Sequence, residues 1–325
     1  MIESRINVAI SGANGFVGKA LTEKFATLSC LDVHAFARQA PALPLMGVKY
    51  NIVGDLSTEK NLKELLLGVD VVVHTAARVH VMNDNNANPL AEFRRVNVEG
   101  TLNLAQYAFS AGVRRFIYLS SVKVNGDESL LNFPMSPESL KIPLDPYGIS
   151  KMEAELSLLE FSRHTGMEVV IIRPPLIYGP GVRANFRTMM NWLVRRVPLP
   201  FKAINNRRSL VSIENLIDLI SLCLVHPDAA GETFMVSDGE DLSTPELFSR
   251  IGLALGRPAL LFSVPPSLLK LSASLIGQGA VAQRLCGSLQ VDISKTQMLL
   301  GWSPPLCVED GLKKTAEGYL REAFN

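Results

Sequence analysis

Tyr147-Gly148-Ile149-Ser150-Lys151 sets a phenol and an ammonium four residues apart, which on a helix is one turn and one face. A free tyrosine titrates near ~10 and is a poor base at neutral pH. A fixed lysine charge beside it favours the phenolate and lowers that value, so the pair predicts an acid or base for proton transfer. Tyrosine and lysine at this spacing also occur on plain solvated helix faces. The chain start gives the pair its weight.

There, Asn7-Val8-Ala9-Ile10-Ser11 reads as a buried strand that runs straight into Gly12-Ala13-Asn14-Gly15-Phe16-Val17-Gly18. Glycines at these positions permit a tight turn and close backbone approach. A helix beginning near Phe16 aims its free N–H groups at a pyrophosphate. Strand, glycine turn and helix together predict a dinucleotide cradle formed by Gly12, Asn14, Gly15, Phe16, Val17 and Gly18.

The elements that must hold both motifs follow the same rhythm. Strand patterns at Asn7–Ser11, Asp32–Ala37, Val48–Ile52, Val69–His74, Arg115–Ser120 and Val169–Arg173 alternate with helical stretches as far as Thr165. This alternation predicts an α/β fold, a doubly wound parallel sheet covered on both faces. The helical pattern from Pro89 to Ala111 and the helix bearing Tyr147 are expected to be neighbours. After Gly179, Pro180-Gly181, Pro198–Pro200 and Asn205-Asn206 break the chain into shorter pieces. Residues 1–178 are therefore assigned to the nucleotide-binding domain and 179–325 to a substrate lobe, with some segments free to return to the sheet. Ser243-Thr244-Pro245-Glu246 starts a further helix, and the last runs from Val308 to Glu322.

At 325 residues and a formal charge of +1, the chain can bury a large core and carries no basic run for nucleic acid. Cys30, Cys223, Cys286 and Cys307 lack paired spacing and form no ligand cluster with the five histidines, so reduced thiols in a cytoplasm and no metal are expected. No apolar run reaches spanning length. The Leu- and Ala-rich stretch from Leu260 to Ala282 is read as a core or lid helix, without stable membrane insertion.

The glycine turn and the Tyr147/Lys151 pair together resemble the extended short-chain dehydrogenase/reductases, in the nucleotide-sugar epimerase, dehydratase and reductase branch, over nearly the whole chain. The resemblance implies a homodimer through the two neighbouring helices. It places Asp55 and Leu56, in Gly54-Asp55-Leu56, beside an adenine, and His74, Ala76 and Ala77 along the cofactor. Asn97, in Asn97-Val98-Glu99-Gly100-Thr101, matches the family's helix motif, and Pro174 falls at the cofactor. The second strand ends Phe36-Ala37-Arg38-Gln39 without a carboxylate for ribose hydroxyls. NADP(H), with Arg38 on the 2′-phosphate, is the expected cofactor and NAD(H) the alternative.

The segment Leu119-Ser120-Ser121-Val122-Lys123-Val124-Asn125-Gly126 resembles the one supplying the family's catalytic hydroxyl, and Ser121 takes that position. Ser121, Tyr147 and Lys151 form the expected catalytic group, with Lys151 also anchoring the nicotinamide ribose. Sugar 4,6-dehydratases carry Asp-Glu where this chain has Val122-Lys123, which disfavours dehydration. Asn125 replaces a usual tyrosine, and Leu176 in Arg173-Pro174-Pro175-Leu176-Ile177-Tyr178-Gly179-Pro180 replaces a usual asparagine.

For a UDP-sugar, the resemblance selects Arg208 and Arg284 on the diphosphate, since two guanidinium forks suit phosphate oxygens. Asn185, Lys123, Asn125, Ser121 and Arg78 complete the substrate set, and His80 is read as a surface-loop histidine. The expected activity is reduction of a UDP-4-keto-6-deoxy-N-acetylhexosamine for surface polysaccharide. A UDP-glucose or UDP-N-acetylglucosamine 4-epimerase is the alternative. A cofactor-sensing binding protein stands against the intact catalytic group, and a steroid- or flavonoid-type reductase stands against the two arginines.

Overall fold

The computed structural model describes residues 5–79, 88–139, 141–275 and 277–324; the expectation for His80 lies outside them. Strands β1 (Ile6–Ser11), β2 (Leu31–Ala37), β3 (Val48–Ile52), β4 (Val71–His74), β5 (Arg115–Leu119) and β6 (Glu168–Arg173) form at or within two residues of the expected places. Their residues are apolar at nearly every position because both faces are covered. Val8, Ile10, Val71, Val73, Ile117, Val170 and Ile172 point into one core. Ala9, Val72, Phe116, Tyr118, Val169 and Ile171 point into the other, as the two-residue period of a strand requires.

Helix α1 (Phe16–Phe25) packs on the first face and α2 (Leu62–Leu65) lies on the second. The pattern from Pro89 to Ala111 resolves into α3 (Pro89–Arg94), a π-helical turn (Arg95–Glu99) and α4 (Gly100–Ser110). Leu104, Ala105 and Ala108 of α4 meet Ala154 and Leu158 of α5 (Pro146–Thr165) over the second face. Pro146 follows Asp145, whose carboxylate accepts from the Gly148 N–H at 3.0 Å, so the start of α5 is fixed by its own sequence.

Beyond residue 173 the chain builds the smaller lobe from β7 (Leu176–Tyr178), α6 (Ala184–Val194) and β8 (Arg208–Ser212), while α7 (Ile213–Cys223) packs beside α1 on the first face of the large sheet. Strand β9 (Thr233–Met235) then returns to the large sheet beside β6. The sheet order is β3-β2-β1-β4-β5-β6-β9, with every neighbouring pair parallel. Strand β10 (Asp241–Leu242) joins β8 and β7 in a separate three-stranded sheet. Helix α8 (Thr244–Ala254) opens with a capping box, in which the Ser243 side chain and Glu246 each satisfy the other's backbone N–H. The lobe closes with α9 (Pro266–Leu275), α10 (Gly279–Cys286) and α12 (Val308–Phe324), while α11 (Ser294–Leu300) packs beside β9 of the large sheet.

One sequence expectation is corrected. Of the core or lid reading of Leu260 to Ala282, the core half fails for α9, which contains no buried residue among those described.

Candidate active site

The chain order reverses between β1 and β4, and the crevice at the carboxyl ends of those strands is where an open α/β sheet binds a ligand. A cleft of about 880 Å³ opens there, lined by Gly12, Asn14 and Gly15, by Phe36 through Gln39, by Val53 through Leu56 and by Thr75 through Val79. That volume suits an elongated cofactor. The first turn of α1 has Gly15 at its cap with no side-chain hydrogen bond, which leaves its N–H groups available to an anion. These residues fit a dinucleotide.

Gly12 holds φ +75°, and a Cβ there would lie 2.7 Å from the Ala76 nitrogen. A Cβ on Gly18 would meet the Gly12 carbonyl oxygen at 2.2 Å. Gly18 therefore presses α1 onto the turn instead of touching the cleft. The side chains of Phe16 and Val17 turn toward the cores, which leaves their backbone N–H groups as the part of this turn that could meet a cofactor. Gly18→Ala is expected to destabilise the fold by roughly 1–3 kcal/mol or more, because the clash is with backbone. It should also loosen the cradle. Urea unfolding and NAD titration check this, and wild-type values for both would contradict the packing account.

Arg38 is exposed at the cleft wall, as expected from the end of β2. Asn14 donates to the Gln39 carbonyl at 2.8 Å, joining the two walls. Asp55 accepts from Ser57 and pairs with Arg95. Burial disfavours the Asp55 carboxylate, yet the Arg95 and Ser57 hydrogen bonds outweigh it and hold its pKa below the usual range. Arg95 lines the cleft and was missed, since nothing local to its sequence points at Asp55. Ala76 and Ala77 line the cleft as expected, and Arg78 lies there too, its guanidinium 5.5 Å from the centre of the Phe93 ring.

Three residues expected at the cofactor are committed elsewhere. His74 is buried, 2.5 Å from the Ser11 hydroxyl and 2.9 Å from that of Thr101, and burial pushes its pKa down to about 3. It is an interior neutral imidazole bridging β1 and α4. Asn97, in the π turn, accepts from the Arg78 N–H at 2.7 Å and donates to the Arg78 carbonyl and the Ser150 hydroxyl. It fixes the loop after β4 to α5, the structural support of the active-site helix expected of its motif, and its amide is not left for a cofactor. Pro174 is buried, and its carbonyl accepts from the Val122 N–H at 3.0 Å. It supports the segment carrying Ser121.

Ser121 and Tyr147 do come together, the serine hydroxyl easing ionisation of the phenol. The Tyr147 ring meets Phe93 edge to face at 6.2 Å between centres. Burial raises the Tyr147 pKa to about 12, eased by Ser121 and reinforced by Asp145. The expected lowering by Lys151 is therefore corrected. Lys151 is 2% exposed, donates to the Leu119 carbonyl at 2.8 Å and sits 4.5 Å from the centre of the Tyr118 ring. Burial pushes its own pKa down to about 7, against the opposing field of Glu155.

Glu155 forms a buried two-pronged pair with Arg173, at 2.9 and 2.5 Å. Arg173 continues to the Asn125 side-chain oxygen at 3.2 Å and the Pro137 carbonyl at 2.8 Å. Asn125 spends its amide nitrogen on the carbonyls of Ser136 and Ser139. With 1% exposure, Asn125 is corrected from a substrate contact to the brace that shapes the wall after Ser121.

Beyond Ser121, three cations from separate segments converge. Arg208, on β8, donates to the carbonyls of Arg284 and Gly287 at 2.8 and 3.0 Å. Burial and the repulsion of Arg284 lower its pKa, against attraction by Glu128. Lys123 pairs with Asp127 and lies 3.7 Å from Asp145. Burial lowers its pKa, and the charges of Arg284 and Arg208 add to that effect. Mutually repelling cations at a mouth suit an anion with several oxygens. Asn185 is exposed in the first turn of α6, and Leu176 is 36% exposed on β7.

Residues 8–237 match the family described as NAD dependent epimerase/dehydratase. The chain is 44% identical over 316 residues to a UDP-glucose 4-epimerase of Vibrio cholerae, covering 97% of this chain and 96% of that one. Its fold is similar to the NAD complex of UDP-glucuronic acid 4-epimerase from Bacillus cereus, with a TM-score of 0.79, 22% identity and 97% of each chain covered. A UDP-glucose 4-epimerase of Thermotoga maritima with UDP-glucose matches with a TM-score of 0.79 and 20% identity over 98% of this chain and all of the other (100%).

Proposed function

This chain belongs to the NAD-dependent epimerase/dehydratase family of extended short-chain dehydrogenase/reductases, and from that premise we propose that it inverts carbon 4 of a UDP-hexose, using NAD(H). The observation that carries the reading is Tyr147 with Ser121 beside its hydroxyl and buried Lys151 one turn along α5, together with the cations Lys123, Arg208 and Arg284 close enough to repel one another. The Vibrio cholerae relative bears the name of that activity.

Bound NAD would supply a nicotinamide that takes hydride from carbon 4 and gives it back. Tyr147 takes the proton of the carbon 4 hydroxyl as the hydride leaves, and returns it after the keto sugar has turned over. The Ser121 hydroxyl donates to the sugar oxygen where negative charge develops. Lys151 holds the ribose, and its positive charge when protonated favours the Tyr147 phenolate. Arg208 and Arg284 grip the diphosphate, so the sugar can rotate without escaping. The expectation of NADP(H) finds no support among the relatives, whose bound cofactor is NAD. The outer faces of α4 and α5, where Phe109 and Leu156 are 44% and 59% exposed, are assigned to a homodimer contact.

One observation favours the 4-keto reductase as a second reading. Arg38 stands where an NAD-specific site would carry a carboxylate, and an exchangeable NADPH would suit net reduction. The two readings separate on incubating the purified protein with UDP-glucose and no added cofactor. Epimerisation predicts UDP-galactose, detected by chromatography. Absence of product, with NADPH consumed on UDP-4-keto-6-deoxy-N-acetylglucosamine, would establish the reductase.

A further inference from the structure

Glu128 brings a carboxylate to the substrate mouth with one oxygen unpaired. A Cβ on Gly287 would lie 2.4 Å from its Oε1 and 2.9 Å from its carboxyl carbon, so the lack of a side chain at 287 is what admits the carboxylate. Arg208 packs on the same glycine, donating to the Gly287 carbonyl at 3.0 Å, and Glu128 attracts that guanidinium. Oε1 is enclosed, yet among the described residues none donates a hydrogen bond to it. A carboxylate can only accept, and an enclosed oxygen without a donor is costly until a ligand supplies one. The segment that carries Glu128 is fixed. Ser129 donates its N–H to the Ser288 carbonyl at 2.9 Å and accepts from the Gln290 N–H at 3.0 Å, and the Asn132 N–H donates to the Gln290 side-chain oxygen at 2.7 Å.

The position of Glu128 along the mouth says which part of a ligand meets it. Lys123 lies 3.7 Å from Asp145, which caps the helix bearing Tyr147, so this cation stands at the catalytic end. Glu128 stands at the other end, beside Gly287 and Cys286 where α10 stops, and Lys270 of α9 acts on the same cysteine. Arg208 and Arg284 link the two ends, since both repel Lys123 and Glu128 attracts Arg208. A hexose at Tyr147 with its diphosphate on the two arginines therefore puts the nucleoside on the Glu128 side. The hydrogen-bond donors nearest the diphosphate on that side are the ribose hydroxyls.

We propose that Glu128 accepts from the vicinal ribose hydroxyls of the nucleotide, which makes the site selective for ribonucleoside diphosphate sugars over their 2′-deoxyribonucleoside counterparts. The inference rests on the UDP-hexose reading of the arginines and names the group that holds the nucleoside. A site built to pair a hydroxyl disfavours the analogue that lacks it, because the site's own polar group is then left unpaired.

Calorimetric titration of the full-length protein with UDP and with 2′-deoxy-UDP tests this without turnover. UDP should bind about 10–100-fold more tightly, the range of a hydrogen bond to a charged group. Glu128→Ala should bring the ratio of the two affinities close to one. A carboxylate that served only to offset the charge of Arg208 would, on removal, change the affinity for both ligands alike and leave their ratio where it was. Glu128→Gln keeps the shape beside Gly287 and one accepting oxygen, so it guards against loss of fold in the alanine variant, and a ratio of about 2–10 is expected for it. Equal affinity of the wild-type protein for the two ligands, or a ratio that survives in Glu128→Ala, would overturn the proposal and leave the UDP-hexose reading standing. Failure of either ligand to bind at all would instead overturn that reading, and this inference with it.

Discussion

Replacing Tyr147 with Phe is expected to lower kcat by about 10²–10⁴-fold, the range that a positioned acid or base contributes. The substitution removes one oxygen and keeps the ring that meets Phe93 edge to face. Thermal unfolding should stay close to wild type, because the substitution keeps the ring and its packing. Turnover of UDP-glucose and a melting curve measure both effects. A variant within tenfold of wild-type kcat would remove Tyr147 from the chemistry and favour a cofactor-sensing role for the fold.

Lys151→Met should separate activity from stability. The wild-type ammonium is buried at the strand end, and burial holds its pKa at about 7. An unfolded lysine titrates near ~10.4, so burial costs the folded state roughly 4–5 kcal/mol at neutral pH, at about 1.4 kcal/mol per decade. Methionine avoids that cost, although the Leu119 carbonyl loses a donor, which returns about 1–3 kcal/mol. A net gain of about 2 kcal/mol is expected for the cofactor-free protein. Turnover should collapse, because ribose anchoring and the positive charge beside Tyr147 are lost together.

The sign of the pH dependence follows from the depressed folded value. Between about pH 7 and ~10.4 the unfolded wild-type chain binds the Lys151 proton and the folded chain does not, so wild-type stability rises with pH across that window. The variant lacks this contribution. Its advantage should be fully present below about pH 7, fall to zero near pH ~8.5 and become a deficit by pH ~10.4, where only the lost donor to Leu119 remains. Urea unfolding at several pH values reads this directly. A variant less stable than wild type at pH 7 would contradict the burial account.

Much of this site is legible locally. The glycine turn, the apolar parallel strands and the Tyr147–Lys151 spacing are short-range signals, and each specifies its own geometry through steric or periodic constraints. The cap at Asp145 and the capping box at Ser243 belong to the same class. What escaped the sequence depends on partners distant in the chain. Asn97 and Asn125 read as polar site residues, yet their amides are consumed by Arg78, Ser150, Ser136 and Ser139.

Strand β4 makes His74 look cofactor-facing. It is the tertiary meeting with Ser11 and Thr101 that turns the ring inward. Burial reverses the simple electrostatic expectation for Tyr147, because desolvation of the phenolate, reinforced by Asp145, outweighs the help of Ser121. The π turn at Arg95–Glu99 is invisible to a 3.6-residue pattern, although it carries Arg95 and Asn97 to their partners. Arg208 and Arg284 lie far apart in sequence and still converge, and here the resemblance to a family supplied what spacing could not.

The central claim is hydride transfer out of carbon 4 and back within one active site. UDP-glucose labelled with deuterium at carbon 4, incubated with the protein as purified, tests it most directly through mass spectrometry and NMR of the product. The account predicts UDP-galactose that retains deuterium at carbon 4, with no net oxidation or reduction of cofactor. Loss of the label to solvent, or no inversion while NADPH is consumed on a 4-keto sugar, would contradict it.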